Sequence, residues 1–138
     1  MMVDNVLNLY EWLQTQSVDA GWTVIVAGEN DNTDRILVLT DEGGPVPPPP
    51  ATEGIGQGAV SSPTIQVRGR GEPWKRTDLM QVMLDVFNIL HGTVDVDMNG
   101  TRYIGVLAQT AAPIFLGYDD KHRPEMTMTF EMKVQTGG

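Results

Sequence analysis

The sequence predicts an α+β fold: a mixed, mostly antiparallel β-sheet with two main helices packed on it and one long Pro/Gly-rich loop. Three observations lead there. Two segments carry apolar residues at helical spacing, several alternate apolar with polar residues, and everything after the second helix reads as strand. No internal repeat interrupts this order. At 138 residues the chain is most economically one domain, 1–138, long enough to bury roughly 68–70% of its unfolded surface.

Val3, Val6, Leu7, Tyr10 and Leu13 follow i, i+3, i+4, i+7 spacing, which predicts a first helix of about 14 residues with one apolar stripe. Asp4 and Asn5 stand near its start, where acceptors suit the free N–H groups. "GWTVIVAG" reads as a strand, "ENDNTD" as a turn-rich connector and "RILVLTD" as a second strand, so the two strands are expected to form a hairpin. Residues 43–63, "GGPVPPPPATEGIGQGAVSSP", change character. Consecutive prolines favour polyproline II and cannot donate to a sheet. A loop of this length in a compact domain is functional or disordered. It is expected to project as a mobile flap in a monomer and to order against a neighbour in an assembly. The glycines at 54, 56 and 58 neither follow a strand nor open a helix, so they do not read as a phosphate cradle.

"PTIQVRGRG" alternates, with Ile65 and Val67 on one side and Gln66, Arg68 and Arg70 on the other. Leu79, Val82, Met83, Val86, Phe87 and Leu90 then form the widest helical stripe. Thr77 or Asp78 suits its N-terminal turn, Pro73 lies just upstream, and Gly92 is the expected stop. "TVDVDM", "TRYIGVLAQT", "APIFLG" and "EMTMTFEMKVQ" read as strands. In the last, Met126, Met128, Phe130 and Met132 alternate with Thr127, Thr129, Glu131 and Lys133, the pattern of one buried face.

Composition narrows the function classes. The net charge is −9, from 18 acidic and 9 basic residues, and such a field repels polyphosphate. There is no cysteine, which removes disulfides, thiolate metal sites and a cysteine nucleophile. No apolar run approaches the ~20 residues of a membrane span, and the N-terminus lacks the pattern of a signal peptide. Arg68, Arg70, Lys75 and Arg76 form a local basic cluster, readable as a solvated strand and helix start or as a contact with an acidic neighbour.

Two stretches invite a metal reading. "DVDMNG", Asp95 to Gly100, matches the opening of a calcium-binding helix–loop–helix site. Such a loop needs a bidentate glutamate at its twelfth position followed by a helix. Here that position is Val106, and "TRYIGVL" has strand composition. Asn99-Gly100 instead suits a type I′ hairpin turn. That register sets Met98 opposite Thr101, Asp97 opposite Arg102 and Val96 opposite Tyr103, with Asp97 and Arg102 as a charged pair on one face. "GYDDKHRPE" gathers Asp119, Asp120, Lys121, His122 and Arg123. This cluster can serve acid–base or metal chemistry, but the plainer reading is a polar turn in which an aspartate accepts backbone N–H bonds and Arg123 pairs with a carboxylate. His91 at a helix end suits the C-terminal carbonyls, and no nucleophile-elbow, zinc-helix or phosphate-loop motif occurs. Trp12, Trp22 and Trp74 are too separated for a stacking platform and read as core or interface residues.

"PTIQVRGRG" running into a helix that ends "ILHG", and the tail "GTRYIGVLAQTAAPIFLGYDDKHRPEMTMTFEMKV", resemble the tail terminator or minor capsid proteins of long-tailed bacteriophages. The resemblance extends over nearly the whole chain and is most specific at "PTIQVR" and "PIFLGYDDKHRPE". It implies a structural virion protein at the head–tail joint, assembled in the host cytoplasm, with no catalytic residues and no cofactor. It implies a hexameric ring that caps the tail tube, stops its polymerisation and joins the head-completion or neck proteins, with DNA only passing through the lumen and no membrane partner. A ring needs head-to-tail contacts between two different patches. The candidates for such contacts are Arg68, Arg70, Lys75, Arg76, Asp97, Arg102, Asp119, Asp120 and Arg123. The competing readings are another virion connector or tube subunit and, from a different class, a metal-dependent enzyme or calcium-binding module.

Overall fold

The computed structural model describes residues 5–14, 22–26, 34–43, 60–98 and 100–135. In chain order these form α1 (Asn5–Gln14), β1 (Thr23–Val26), β2 (Ile36–Gly43), β3 (Val60–Ser61), β4 (Thr64–Arg70) and α2 (Arg76–Leu90). After them come β5 (Val94–Met98), β6 (Thr101–Ala108), β7 (Ile114–Tyr118) and β8 (Pro124–Gln135). This is the expected α+β architecture. The strands make one sheet in the order β1-β2-β4-β8-β6-β5, with β3 and β7 also paired to β8.

The long strand β8 organises the sheet. Its residues alternate without a break between buried and half-buried, so Met126, Met128, Phe130, Met132 and Val134 enter the core while the polar residues face away. β4 runs antiparallel along one edge of β8, with Ile65 opposite Phe130 and Val67 opposite Met128. β6 and β7 share the other edge. Both helices cover the same face. Leu9 and Leu13 of α1 and Leu79, Val82, Met83, Val86 and Leu90 of α2 join one cluster with Leu37, Leu39, Ile65, Val67, Tyr103 and Val106. The sheet curls enough that α1 touches β1 and β2 near one edge and β5 at the other. A polar clamp fixes α1 there: Asn8 Nδ2 donates to the Tyr103 hydroxyl at 2.9 Å, which donates to Asn5 Oδ1 at 2.6 Å. At Gly69 a Cβ would meet Met83 Sδ at 2.7 Å and Leu79 Cδ1 at 2.8 Å, so the absent side chain lets α2 lie close on β4.

Several expectations change. β1 and β2 are not a hairpin. They pair in parallel, Thr23 beside Ile36 through Val26 beside Leu39. Their β-branched composition suits a strand of either direction, and direction is decided by which edges the chain must join. The apolar stripe of α1 is turned from the expected one: Leu9 is buried and Leu7 is exposed, because α1 packs on a curled sheet from a direction that spacing alone cannot specify. Val3 lies outside the described residues. The long loop is trimmed at both ends, since Gly43 belongs to β2 and Val60–Ser61 pairs with Gln135 and Val134 of β8. Its proline run and its 54–58 glycines lie outside the described residues. Asp78 sits within the first turn of α2, as expected for a residue that favours that turn, but neither it nor Thr77 is the cap: the N-cap is Lys75, without a side-chain cap bond. His91 is the C-cap, but its ring turns from the helix carbonyls, and Nδ1 accepts the Ala108 N–H at 3.0 Å.

Candidate functional site

Strand register places two contrasting surfaces at opposite ends of the sheet. Arg70 lies opposite Ile36 and Glu125, and Tyr118 opposite Pro124, at one end. Gly43 lies opposite Thr64, and Met98 opposite Thr101, at the other.

The first end is built by the turn 119–123 and the segment leading into α2. Asp119 Oδ1 accepts the N–H groups of Lys121 (3.0 Å) and Arg123 (2.8 Å). Its Oδ2 accepts Arg123 Nε at 2.8 Å, and Arg123 Nη1 also reaches Asp34 at 3.4 Å. Arg123 is only 2% exposed, so this pair closes the turn from within. Burial pushes the Asp119 carboxyl up, but the Arg123 N–H, its guanidinium and the Lys121 N–H outweigh burial and hold the group below the usual aspartate range. Burial likewise works against the charge on Arg123, and Asp119 followed by Asp34 overcomes it.

Outside this knot lies an aromatic plateau. The Trp74 ring stacks on His122 at 4.6 Å and 14°, and Tyr118 stands 5.0 Å from Trp74. Phe115 meets Tyr118 edge-on at 5.4 Å, and the Arg76 guanidinium lies 4.8 Å above Phe115. The Trp74 N–H donates to the His122 carbonyl at 2.9 Å.

The far end is the β5–β6 hairpin. The expected register is the observed one: Met98 opposite Thr101, Asp97 opposite Arg102, Val96 opposite Tyr103. Asn99 lies outside the described residues, and Gly100 takes φ +82°. The charged pairing is corrected. Although Asp97 faces Arg102 in register, the ion pair runs diagonally, from Arg102 Nε to Asp95 Oδ1 at 2.7 Å. Asp97 bends back over the turn while staying exposed, its Oδ1 accepting the Gly100 N–H at 2.8 Å. A turn-tightening bond competes with the cross-strand pair, and the long Arg102 side chain reaches the next carboxylate and also Gln135 Oε1 at 3.0 Å. β6 follows where a calcium site needs a helix, and no group of three metal-ligating side chains occurs among the described residues.

The structure divides the basic cluster. Arg68 pairs with Glu125 at 3.0 Å on the face opposite the helices, Arg70 is buried at 6% exposure, and Lys75 and Arg76 stand exposed at the start of α2. Asp120 is exposed beside the Asp119 knot.

A family model described as bacteriophage tail terminator protein matches residues 17–136. The chain belongs to the bacteriophage tail terminator family. A comparison with curated proteins gave no match. The family is one of structural phage tail proteins, so this tail terminator relative is a virion component. Sequence reasoning missed Tyr118 as a surface member, with half-buried Phe115 joining it to the core, and left Trp74 undivided between core and interface. Only Trp74 carried a signal, as a tryptophan between Pro73 and two basic residues. Trp12 and Trp22 pack on the core instead.

Proposed function

We propose that the protein forms the ring that terminates the tail tube, stops its polymerisation and presents a surface to the head-completion or neck proteins. The family match over residues 17–136 carries the reading. Three physical features support it. The charge of −9 keeps the walls of a lumen from holding passing DNA. Val94, Ile104, Leu107, Ile114, Leu116 and Tyr118 leave large apolar side chains exposed along β5, β6 and β7, a pattern that suits contact with other subunits. The two ends of the strands differ in charge and chemistry, as head-to-tail packing requires.

In this reading Lys75, Arg76, Asp97, Arg102 and Asp120 are outward members of the subunit contacts, while Asp119 and Arg123 shape the turn that carries them. Arg68 and Arg70 act through the sheet. Residues 43–63 dock onto the adjoining ring of tube or neck. The ring is hexameric, its subunits are added in the host cytoplasm, and no cofactor takes part.

Electron microscopy of virions with the protein labelled, joined to native mass spectrometry of the purified chain with tail tubes, tests this. One ring per particle at the head–tail joint is expected. Label repeated along the tube assigns the chain to tube subunits instead, and label absent from the virion overturns the reading.

A further inference from the structure

In the path β1-β2-β4-β8-β6-β5, β1 and β5 are the two outer strands, and α1 touches both, with β2 beside β1. Leu9 and Leu13 are buried in one cluster with Leu37, Leu39 and Val106. Val24 of β1 and Val96 of β5 pack against that same cluster. One helix thus joins the first strand of the path to the last and fixes how far the sheet curls. α2 packs elsewhere, on the central strands β4, β6 and β8.

The hold of α1 is made of separable parts. At 10 residues it is shorter than the ~12–15 at which a helix begins to persist alone in water. Its first turn holds no acidic residue and its last turn no basic one, so no charge complements its dipole. Helix formation and docking are therefore one step. The clamp is polar. The fully buried Tyr103 hydroxyl accepts from Asn8 Nδ2 and donates to Asn5 Oδ1. Water takes over each of these groups when α1 leaves, so the clamp adds little net grip. It adds register, because both amides must meet one hydroxyl.

We propose that α1 is a releasable strap, docked across β1 and β5 through the Tyr103 latch, whose release opens the curl of the sheet without unfolding it. The strap sets the shape that the subunit offers to any neighbour. The family match begins at residue 17, beyond α1, and assigns the helix no part. The device belongs to the single subunit and does not depend on the ring reading.

The full chain has no cysteine, so introduced thiols report on single positions. Leu9→Cys, beneath the strap, should react with a thiol reagent at least about a hundredfold faster than Met128→Cys in β8, because local release exposes the first and global unfolding the second. Tyr103→Phe keeps the ring but removes the acceptor of Asn8 Nδ2, and should raise labelling of Leu9→Cys about tenfold more while leaving Met128→Cys unchanged. Asn8→Ala should act in the same direction from the helix side. Spin labels at Thr23→Cys and Val94→Cys, both exposed on the outer strands, then read the curl. One narrow distance is expected with the latch intact, and a second, longer population with Tyr103→Phe, under an unchanged circular dichroism spectrum. Equal labelling of Leu9→Cys and Met128→Cys overturns the proposal, since α1 then leaves only on global unfolding. Faster Leu9→Cys labelling with an unmoved label distance in both latch variants also overturns it, since α1 is then a fraying end and not a strap. Neither result bears on the ring, which native mass spectrometry tests separately.

Discussion

The turn at Asp119–Arg123 and the hairpin at Asp95–Arg102 contain the same ingredients: two aspartates, an arginine and an aspartate oxygen accepting backbone N–H groups. Their settings differ. Arg123 is 2% exposed, whereas the Arg102 and Asp95 side chains are 55% and 68% exposed. In the buried turn, losing one partner strands a charge away from water. In the hairpin, water replaces whichever partner is lost. The same pairing therefore holds the fold at one end of the sheet and only trims the surface at the other.

The sharpest way to break this contrast is Asp119→Ala. It should destabilise the protein by about 3 kcal/mol in urea unfolding, the lower end for breaking a buried pair because Asp34 remains beside Arg123. Acid titration sharpens the point. The folded Asp119 carboxyl lies below its unfolded value of about 3.9, so the unfolded chain binds more protons through that range. Its contribution is present above that value and is lost as pH falls through the folded one. The wild type should lose stability below about pH 5, and Asp119→Ala should flatten that acid limb; an identical limb in both proteins contradicts the account.

The hairpin should respond through its backbone before its charges. Gly100→Ala places a Cβ at φ +82° and should cost about 1–2 kcal/mol, read from the thermal midpoint. The smallest effect belongs to Arg102→Ala, at no more than about 0.5 kcal/mol and shrinking further with added salt. A loss there as large as that of Asp119→Ala would remove the distinction between the two regions.

The hairpin register and the stripe of α2 were legible because they are local: Asn99-Gly100 dictates which residues face each other, and helical spacing dictates which side is buried. The alternation of β8 was equally plain, since a strand buried on one face must repeat every second residue. The partner of Arg102 was not legible, because a diagonal and a direct neighbour lie within the same reach and Asp97 had a competing bond to Gly100.

By itself, then, the amino-acid order determined the α+β class, the second helix, the β5–β6 hairpin and the one-sided strand that organises the sheet. Each follows from contacts a few residues apart. Tertiary structure alone decided that β1 lies parallel to β2, that α1 turns Leu9 rather than Leu7 inward, and that Trp74, Tyr118 and His122 form one exposed surface. Those outcomes depend on which distant segments close the curled sheet and on a buried ion pair within the 119–123 turn. Side-chain type and spacing carry no information about either.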